Sequence, residues 1–530
     1  MVKTRKKFKK NKKPCRPVVL LILDGWGIGE PNHGNAIAAA KTPTYDKILK
    51  KYPHTQLRAW GGYVGLPTGQ EGNSEAGHLN IGAGRVVKQD ILYISESIKD
   101  GTFFKNTAFI EAIKHIKKYN KRLHLMGMLS NGDSGHASPD HLYALLELAR
   151  QENIKRVFLH LFTDGRDSPR FEAINLLEKL EKHFNGREKI ASIMGRFYAM
   201  DRNKLWHRTK FAYNAIACGR GLIAPDARSA ILHAYNRGES DEYILPTLVR
   251  NGDGSLVAQI EDNDAVIFFN LRSDRARQLT KPFVQPDFEK VNKGAFKRAC
   301  VPDNIRFVAM TDFGPDLPGV FTAYPSRDVK NCLASVIAKS GCYQMHIAES
   351  EKFAHITYFL DGGCAIPARG EERVRIPSPR VPRYDLVPEM STDEITKRVV
   401  RALQRKKYDF IAINFAAPDM IAHTGNLKAG IKAAEVTDKC IKKIKDAVIR
   451  RGGVLVVTAD HGNLEEMIDP KSGAIVTEHS NNSVPFILID KKEFKNVKLK
   501  KDGKLANIAP TILKIMDLPI PKEMTAKPLF

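Results

Sequence analysis

Several residues able to hold a cation stand just beyond short apolar runs. Asp24 follows Val18–Leu23, Asp419 follows Ile411–Phe415, and Asp460-His461 follows Val454–Val457. Asp419-x-x-x-His423 places a carboxylate and an imidazole one helical turn apart, able to face one ion. Glu478-His479 adds a further pair. Oxygen and nitrogen donors without thiolate suit Mn²⁺, Mg²⁺ or Zn²⁺ rather than a structural cysteine site. Any one pair by itself reads more readily as a helix-capping aspartate beside a surface or core-satisfied histidine. Their shared placement after apolar runs is what points to a metal centre.

Two other groups could carry chemistry. Gly72-Asn73-Ser74-Glu75-Ala76-Gly77-His78 sets a serine in a glycine-flanked turn. There it could be an exposed nucleophile activated by a metal, or simply part of a polar turn or helix cap. Arg166, Arg196, Arg202, Arg272 and Arg275 are guanidinium groups that could grip phosphate or carboxylate, or lie on a solvated surface. Gly25-Trp26-Gly27-Ile28-Gly29 imitates a dinucleotide fingerprint, but Glu30 stands where its third glycine belongs. No G-x-x-x-x-G-K-[ST] phosphate loop occurs.

The elements that must position these groups read as α/β. Val157–Leu161 and Val266–Leu271 are further near-continuous apolar runs, as in parallel strands buried on both faces. Ligands gather beyond the carboxyl ends of such strands. Helical patterns lie between them: Asn106–Lys118 with Phe109, Ile113 and Ile116 on one face, a helix opened by Ser138-Pro139, and Thr392–Arg405 after Ser391. Strand and helix alternate throughout.

Length and composition agree with a folded globular protein of several domains. The chain has 530 residues, 43% hydrophobic and 27% charged, which excludes a fibre or a disordered protein. Its seven dispersed cysteines form no C-x-x-C pair, which argues against a secreted disulfide framework and fits a reducing compartment. The formal charge is +25, and eight basic residues fall within residues 1–13, read as a disordered basic tail. The remainder is still basic, with 76 cationic against 59 acidic side chains, which suits anionic partners. The apolar run after the tail has six residues and ends in Asp24, too short for a signal peptide, and no run could span a bilayer. A soluble intracellular protein is expected.

Taken together, eight ordered segments resemble a known family. They are Leu23-Asp24-Gly25-Trp26-Gly27, the stretch Asn73–Arg85, Asp164-Gly165-Arg166-Asp167, and Gly195–Arg202. Arg272-Ser273-Asp274-Arg275-Ala276-Arg277-Gln278, Glu351-Lys352-Phe353-Ala354-His355, the stretch Asn414–Gly425, and Thr458–Asn463 complete them. The chain is similar to the cofactor-independent (2,3-bisphosphoglycerate-independent) phosphoglycerate mutases of the alkaline phosphatase superfamily, from about residue 17 onward. The resemblance implies one metal site of Asp419, His423 and His479, and another of Asp24, Ser74, Asp460 and His461. It implies Ser74 as nucleophile, and His136, Arg166, Asp167, Arg196, Arg202, Arg272, Arg275 and Lys352 as the phosphoglycerate site. Asp167, His136 and Lys352 would assist catalysis. Where the family carries Gly-Val-His-Ser-His, this chain reads Asn131-Gly132-Asp133-Ser134-Gly135-His136-Ala137-Ser138, one residue longer.

The implied fold is an alkaline-phosphatase-like domain with a mainly parallel sheet, interrupted by a second α/β transferase domain. The expected segments are residues 1–13 (tail), 14–90 and 316–530 (metal domain), and 91–315 (transferase domain), with the two crossings as hinges. The implied cofactors are two divalent ions, Mn²⁺ first, with Mg²⁺, Co²⁺ or Zn²⁺ as alternatives, and no 2,3-bisphosphoglycerate. A cytoplasmic monomer acting on phosphoglycerate is expected, without membrane association, and with nucleic acid reached only through the tail. Two rival readings are a metal-dependent phosphohydrolase or mutase for another phosphate ester, and a nucleic-acid-binding protein on a degenerate enzyme core.

Overall fold

The computed structural model describes residues 16–132, 134–326, 329–491 and 493–530. The basic tail 1–13 and Cys15 lie outside the described residues. The chain forms two compact units, one from the described parts of Met1–Gln89 and Arg327–Phe530, the other from Asp90–Ser326.

The first unit is built on an eight-stranded sheet. Five adjacent strands run parallel, in the order Glu371–Ile376, Gln344–Glu349, Phe410–Phe415, Val18–Leu23, Val454–Thr458. Val484–Ile489 continues the sheet antiparallel, followed by His54–Arg58 and Gly503–Lys504. The central run Val18–Leu23 is at most 1% exposed, which is why it shows no polar alternation. Register sets the site. Leu23 pairs with Phe415 and Ile22 with Thr458, so three strands end level and release Asp24, the 416–423 turn and Asp460-His461 at one edge.

The second unit has its own eight-stranded sheet, in the order Phe321–Tyr324, Arg306–Thr311, Ala265–Phe268, Leu123–Met128, Val157–Thr163, Glu188–Gly195, Thr247–Val249, Leu222–Ala224. Its pairs are parallel except Glu188–Gly195 with Thr247–Val249. Thr163 pairs with Gly195 and Met128 with Phe162, which again brings polar residues out at one edge. Phe321–Tyr324 hydrogen-bonds to Arg306–Thr311, so residues 316–326 belong here. The expected boundary at 315 therefore moves to 326.

The amphipathic segment near 106–118 forms the helix Thr107–Tyr119, with Asn106 as its side-chain cap and Phe109, Ile113 and Ile116 buried. Pro139–Gln151 and Thr392–Gln404 are helices with Ser138 and Ser391 at their N-caps, although neither serine side chain makes a capping bond. Cys218 and Cys300, dispersed in sequence, have Cα atoms 5.6 Å apart and are disulfide-bonded. Cys332, Cys342 and Cys440 are buried thiols and Cys364 an exposed one. Among the described residues, no helix is long and apolar enough to cross a membrane.

Candidate active site

Ser74 is the first residue of the helix Ser74–Ala83, and the cap is its neighbour Asn73, whose side chain accepts from the Ala76 amide. The sequence suggested an exposed turn, but Ser74 is only 6% exposed. Burial follows from two glycines. Gly25 has φ +69°, and a Cβ there would lie 2.8 Å from the Cβ of Asp419. A Cβ on Gly77 would stand 2.6 Å from the Asp460 carbonyl oxygen, so glycine lets this helix rest on the end of the 454–458 strand. The serine thus sits at the positive end of a helix, where anionic charge is favoured.

Around its hydroxyl converge groups from every part of the first unit. Ser74 Oγ lies 3.2 Å from Asp24 Oδ1 and 2.9 Å from His461 Nε2. Lys352, at the end of a short turn after the strand Gln344–Glu349, points its ammonium into the same space. Its Nζ donates to Asp24 Oδ1 at 2.7 Å, Ser74 Oγ at 2.6 Å and Asp419 Oδ2 at 2.6 Å. Asp419 Oδ1 in turn lies 3.3 Å from His423 Nε2 and 3.5 Å from His479 Nε2.

Three imidazoles are oriented alike. The Nδ1–H of His423 donates to the Thr477 carbonyl, that of His461 to Gly462 and that of His479 to Gly72. Each therefore presents an unprotonated or releasable Nε2 to the cluster, the arrangement that backbone carbonyls impose on ligating histidines. Two trios, Asp419–His423–His479 and Asp24–Asp460–His461, each bring their candidate donor atoms within 4.8 Å of one another.

Electrostatics explains how so many ionisable groups are buried together. Burial alone would raise the Asp24 and Asp419 carboxyls, but the Lys352 ammonium overcomes it and holds both well below the usual range. Burial works against the Lys352 charge too, and Asp24, Asp419 and Asp460 outweigh it and hold the ammonium more firmly protonated than an ordinary lysine. Burial opposes the His461 charge as well, yet Asp460 and the Asp24 carboxylate push it up to about 10, whereas burial and the charge of His461 push His479 down to about 4.

This donor set fits divalent cations. Three buried carboxylates meet one ammonium and the imidazole of His461, and Asn463 Oδ1 is a buried oxygen without a hydrogen-bond partner. A buried acceptor left in that state is costly, and a bound cation would satisfy it.

The second unit carries a separate cationic cluster. Arg196, 3% exposed, pairs with Asp164 and, at 3.0 Å, with Asp167 Oδ2. Asp167 also accepts from Ser134 Oγ at 2.7 Å, and His136 Nε2 is 3.8 Å away. Burial, with Arg272 and Arg196 nearby, pushes His136 down to about 3, so its ring is neutral. Arg202 donates to Asp274 Oδ2 at 2.8 Å, and Arg272 Nε is 3.7 Å from Asp274 Oδ1. Arg275 donates to the Met200 carbonyl. Burial and the charges of Arg202 and Arg196 push its guanidinium down to about 10, the mark of cations crowded without enough anion. Arg166 is exposed, with Glu242 as its partner at 3.9 Å, and its charge also acts on Arg275.

Several polar residues of these sites were not singled out from sequence. Asn463 Nδ2 donates to Asp419 Oδ1 at 2.9 Å, and Asn414 Nδ2 to Asp24 Oδ2 at 2.6 Å. His78 Nδ1 lies 3.1 Å from Asp460 Oδ2, and its Nε2 accepts from Asn414. Glu465 receives the amides of Gly27 and Asn463 and so ties two of the loops together. Their signal was position: Asn414 and Asn463 lie at or just past the ends of the same strands that release the aspartates.

Comparison with known proteins places this geometry. Residues 16–520 match the family model of the Metalloenzyme superfamily. A Clostridium kluyveri protein named 2,3-bisphosphoglycerate-independent phosphoglycerate mutase is 47% identical over 516 residues, 97% of this chain and 99% of that one. The Methanosarcina acetivorans 2,3-bisphosphoglycerate-independent phosphoglycerate mutase 1 is 47% identical over 517 residues, covering 97% and 98%. A solved structure of Leishmania mexicana phosphoglycerate mutase at low cobalt concentration superposes with a TM-score of 0.82 at 30% identity, covering 98% of both chains. The chain is therefore a member of the 2,3-bisphosphoglycerate-independent phosphoglycerate mutase family, isomerases of the Metalloenzyme superfamily, with mostly parallel α/β sheets.

Proposed function

We propose that this enzyme interconverts 3-phosphoglycerate and 2-phosphoglycerate through a phosphoserine at Ser74, with two divalent cations. The observation that carries the reading is the convergence of Asp24, Asp419, Asp460 and the Nε2 atoms of His423, His461 and His479 around the Ser74 hydroxyl and the Lys352 ammonium. Asp419, His423 and His479 would hold one cation; Asp24, Asp460, His461 and the Ser74 oxygen would hold the other. When bound, the cations lower the pKa of coordinated oxygen and neutralise phosphoryl charge.

Ser74 attacks phosphorus in line, its bond to phosphorus forming as the bond from phosphorus to the glycerate oxygen breaks and glycerate stays bound, and Lys352, 2.6 Å from the serine oxygen, offsets charge on the transferring group. Phosphoserine then forms at the helix N-terminus, which favours the added charge. Arg196, Arg202, Arg272 and Arg275 hold the carboxylate and phosphate, each charge-assisted bond contributing about 1.5–3 kcal/mol. Asp167, ionised beside Arg196, and neutral His136 move protons to and from the two glycerate hydroxyls. Returning the phosphoryl group to the other hydroxyl completes the isomerisation. Mn²⁺ is the first choice of metal for this oxygen and nitrogen set, and the reaction belongs to glycolysis in a cytoplasmic, monomeric enzyme.

The test is to strip the protein with a chelator, restore Mn²⁺, and supply 3-phosphoglycerate without bisphosphoglycerate. The 2-isomer should appear only after Mn²⁺ is restored, and acid quenching should trap phosphate on Ser74, located by mass spectrometry. Undiminished turnover by a folded Ser74→Ala protein would overturn the phosphoserine route.

A further inference from the structure

The second unit contains a cavity of about 710 Å³ that the phosphoryl-transfer mechanism does not use. Its walls come from the turn before the helix Trp206–Cys218, the C-terminal end of the helix Ser273–Val284 with the segment after it, and the loop at 316–318. Arg272 and Arg275 lie at the opposite end of that second helix, and Lys281 stands nine residues beyond Arg272, about 13 Å along the axis. The cavity is thus separate from the arginine cluster, although both are built on the same helix.

Its chemistry is lopsided. Lys204, Lys281 and Lys293 supply three ammonium groups. The two acids in the wall are already engaged. Asp316 Oδ1 accepts from Arg277 at 2.6 Å and its Oδ2 lies 2.9 Å from Lys281, while Asp287 pairs with Lys290 at 2.8 Å. Among the described residues, the ammonium groups of Lys204 and Lys293 have no acidic partner. The balance left over is positive, which selects an anion.

Lys204 is held in an unusual way. Its φ is +59°, the left-handed region that a lysine rarely adopts, and its amide is fixed to Gln278 Oε1 at 2.9 Å. Such a conformation costs stability to maintain, and residues of this kind cluster where a ligand is gripped. Lys293 is fixed differently, because the buried Trp206 donates its indole N–H to the Lys293 carbonyl at 3.1 Å. Two unpaired cations are therefore carried on backbone that other residues hold in place. The wall also includes the apolar residues Trp206, Pro286, Val291 and Pro318. The volume falls in the range of roughly 300–1,000 Å³ typical of small-molecule and cofactor sites, and is larger than a three-carbon acid fills.

We infer that this cavity binds a phosphorylated small molecule that carries a ring, a nucleotide being the chemical class that matches. The phosphates meet Lys204 and Lys293 while the ring lies against the apolar wall. The experiment is isothermal titration of the metal-loaded protein with ADP, adenosine or inorganic phosphate, each in saturating 3-phosphoglycerate so that the substrate arginines are filled. ADP should bind one site saturably, with adenosine and phosphate each at least tenfold weaker. In a Lys204→Gln/Lys293→Gln protein, ADP affinity should fall at least tenfold while mutase turnover stays within about twofold, showing that the fold is retained. Absence of saturable ADP binding, or equal affinity in the double variant, would overturn the assignment. Binding that appears only without 3-phosphoglycerate would also overturn it, since ADP would then be occupying the substrate arginines. Phosphate binding as tightly as ADP would remove the ring from the proposal.

Discussion

Replacing Lys352 by methionine separates its two roles. The ammonium is 6% exposed and lies 2.7 Å from Asp24 Oδ1 and 2.6 Å from Asp419 Oδ2. Methionine keeps the bulk and removes the charge. In chelator, two buried carboxylates lose their common cation, a change that costs about 3–5 kcal/mol when one partner of a buried ion pair is deleted. At roughly 2–4 °C per kcal/mol, even the lower figure lowers the melting temperature by about 6–12 °C. Divalent metal returns positive charge to the same carboxylates, so most of that loss should disappear in Mn²⁺. Turnover should not recover with it. A positioned cation acting on the transferring group contributes about 10²–10³-fold, and loss on that scale is expected in the metal-loaded variant. The assay is differential scanning calorimetry of both proteins in chelator and in Mn²⁺, with kcat measured on the loaded samples. An equal drop in melting temperature under both conditions would refute the reasoning, because Lys352 would then contribute through packing and not as counter-charge. Full activity in the loaded variant would refute its catalytic role.

The same geometry sets other outcomes. Mn²⁺ binding to chelator-treated protein at neutral pH should release protons, since neighbouring carboxylates hold His461 up at about 10 and its Nε2 must be free to ligate; titration in two buffers of different ionisation enthalpy measures this, and equal apparent heats would contradict it. Arg275→Ala should lower kcat/KM about ten- to a hundredfold while leaving metal content unchanged, which elemental analysis of the same sample checks. Glu349 is buried with Oε2 unbonded, and burial pushes its carboxyl up to about 7. The folded chain then keeps a proton that the unfolded chain releases near pH 4.3, so stability should decline as pH rises from there to about 7, by at most about 4 kcal/mol, and stay level above. Glu349→Gln should remove that slope in melts at pH 5 and pH 8, and an unchanged slope would assign it elsewhere.

Much of the metal unit was legible in the chain because its strands announce themselves. Val18–Leu23, Phe410–Phe415 and Val454–Thr458 are buried on both faces, so each appears as an unbroken apolar run, and the polar residues next in the chain must emerge at the sheet edge. That placed Asp24, Asp419 and Asp460-His461 as candidates from local pattern, and the order of the eight motifs carried the family. Helices were legible for the same local reason, as the buried stripe of Thr107–Tyr119 shows.

The partners a residue meets across space were decided only by the tertiary structure. Strand register made Leu23 level with Phe415 and Ile22 level with Thr458, and a shift of one residue would have turned the aspartates apart. His479 reaches Asp419 because its Nδ1 is tied to the Gly72 carbonyl, a partner 407 positions away. Lys352 lies between Asp24 and Asp419 because its strand pairs with Phe410–Phe415, and the chain before it gives no sign of the acids it will meet. The Cys218–Cys300 pair, the assignment of residues 316–326 to the second sheet, and the cation-lined cavity at Lys204 and Lys293 have the same origin. Local sequence specifies burial and periodicity. Contacts at long separation depend on how whole elements pack, and each of these sites is made of such contacts.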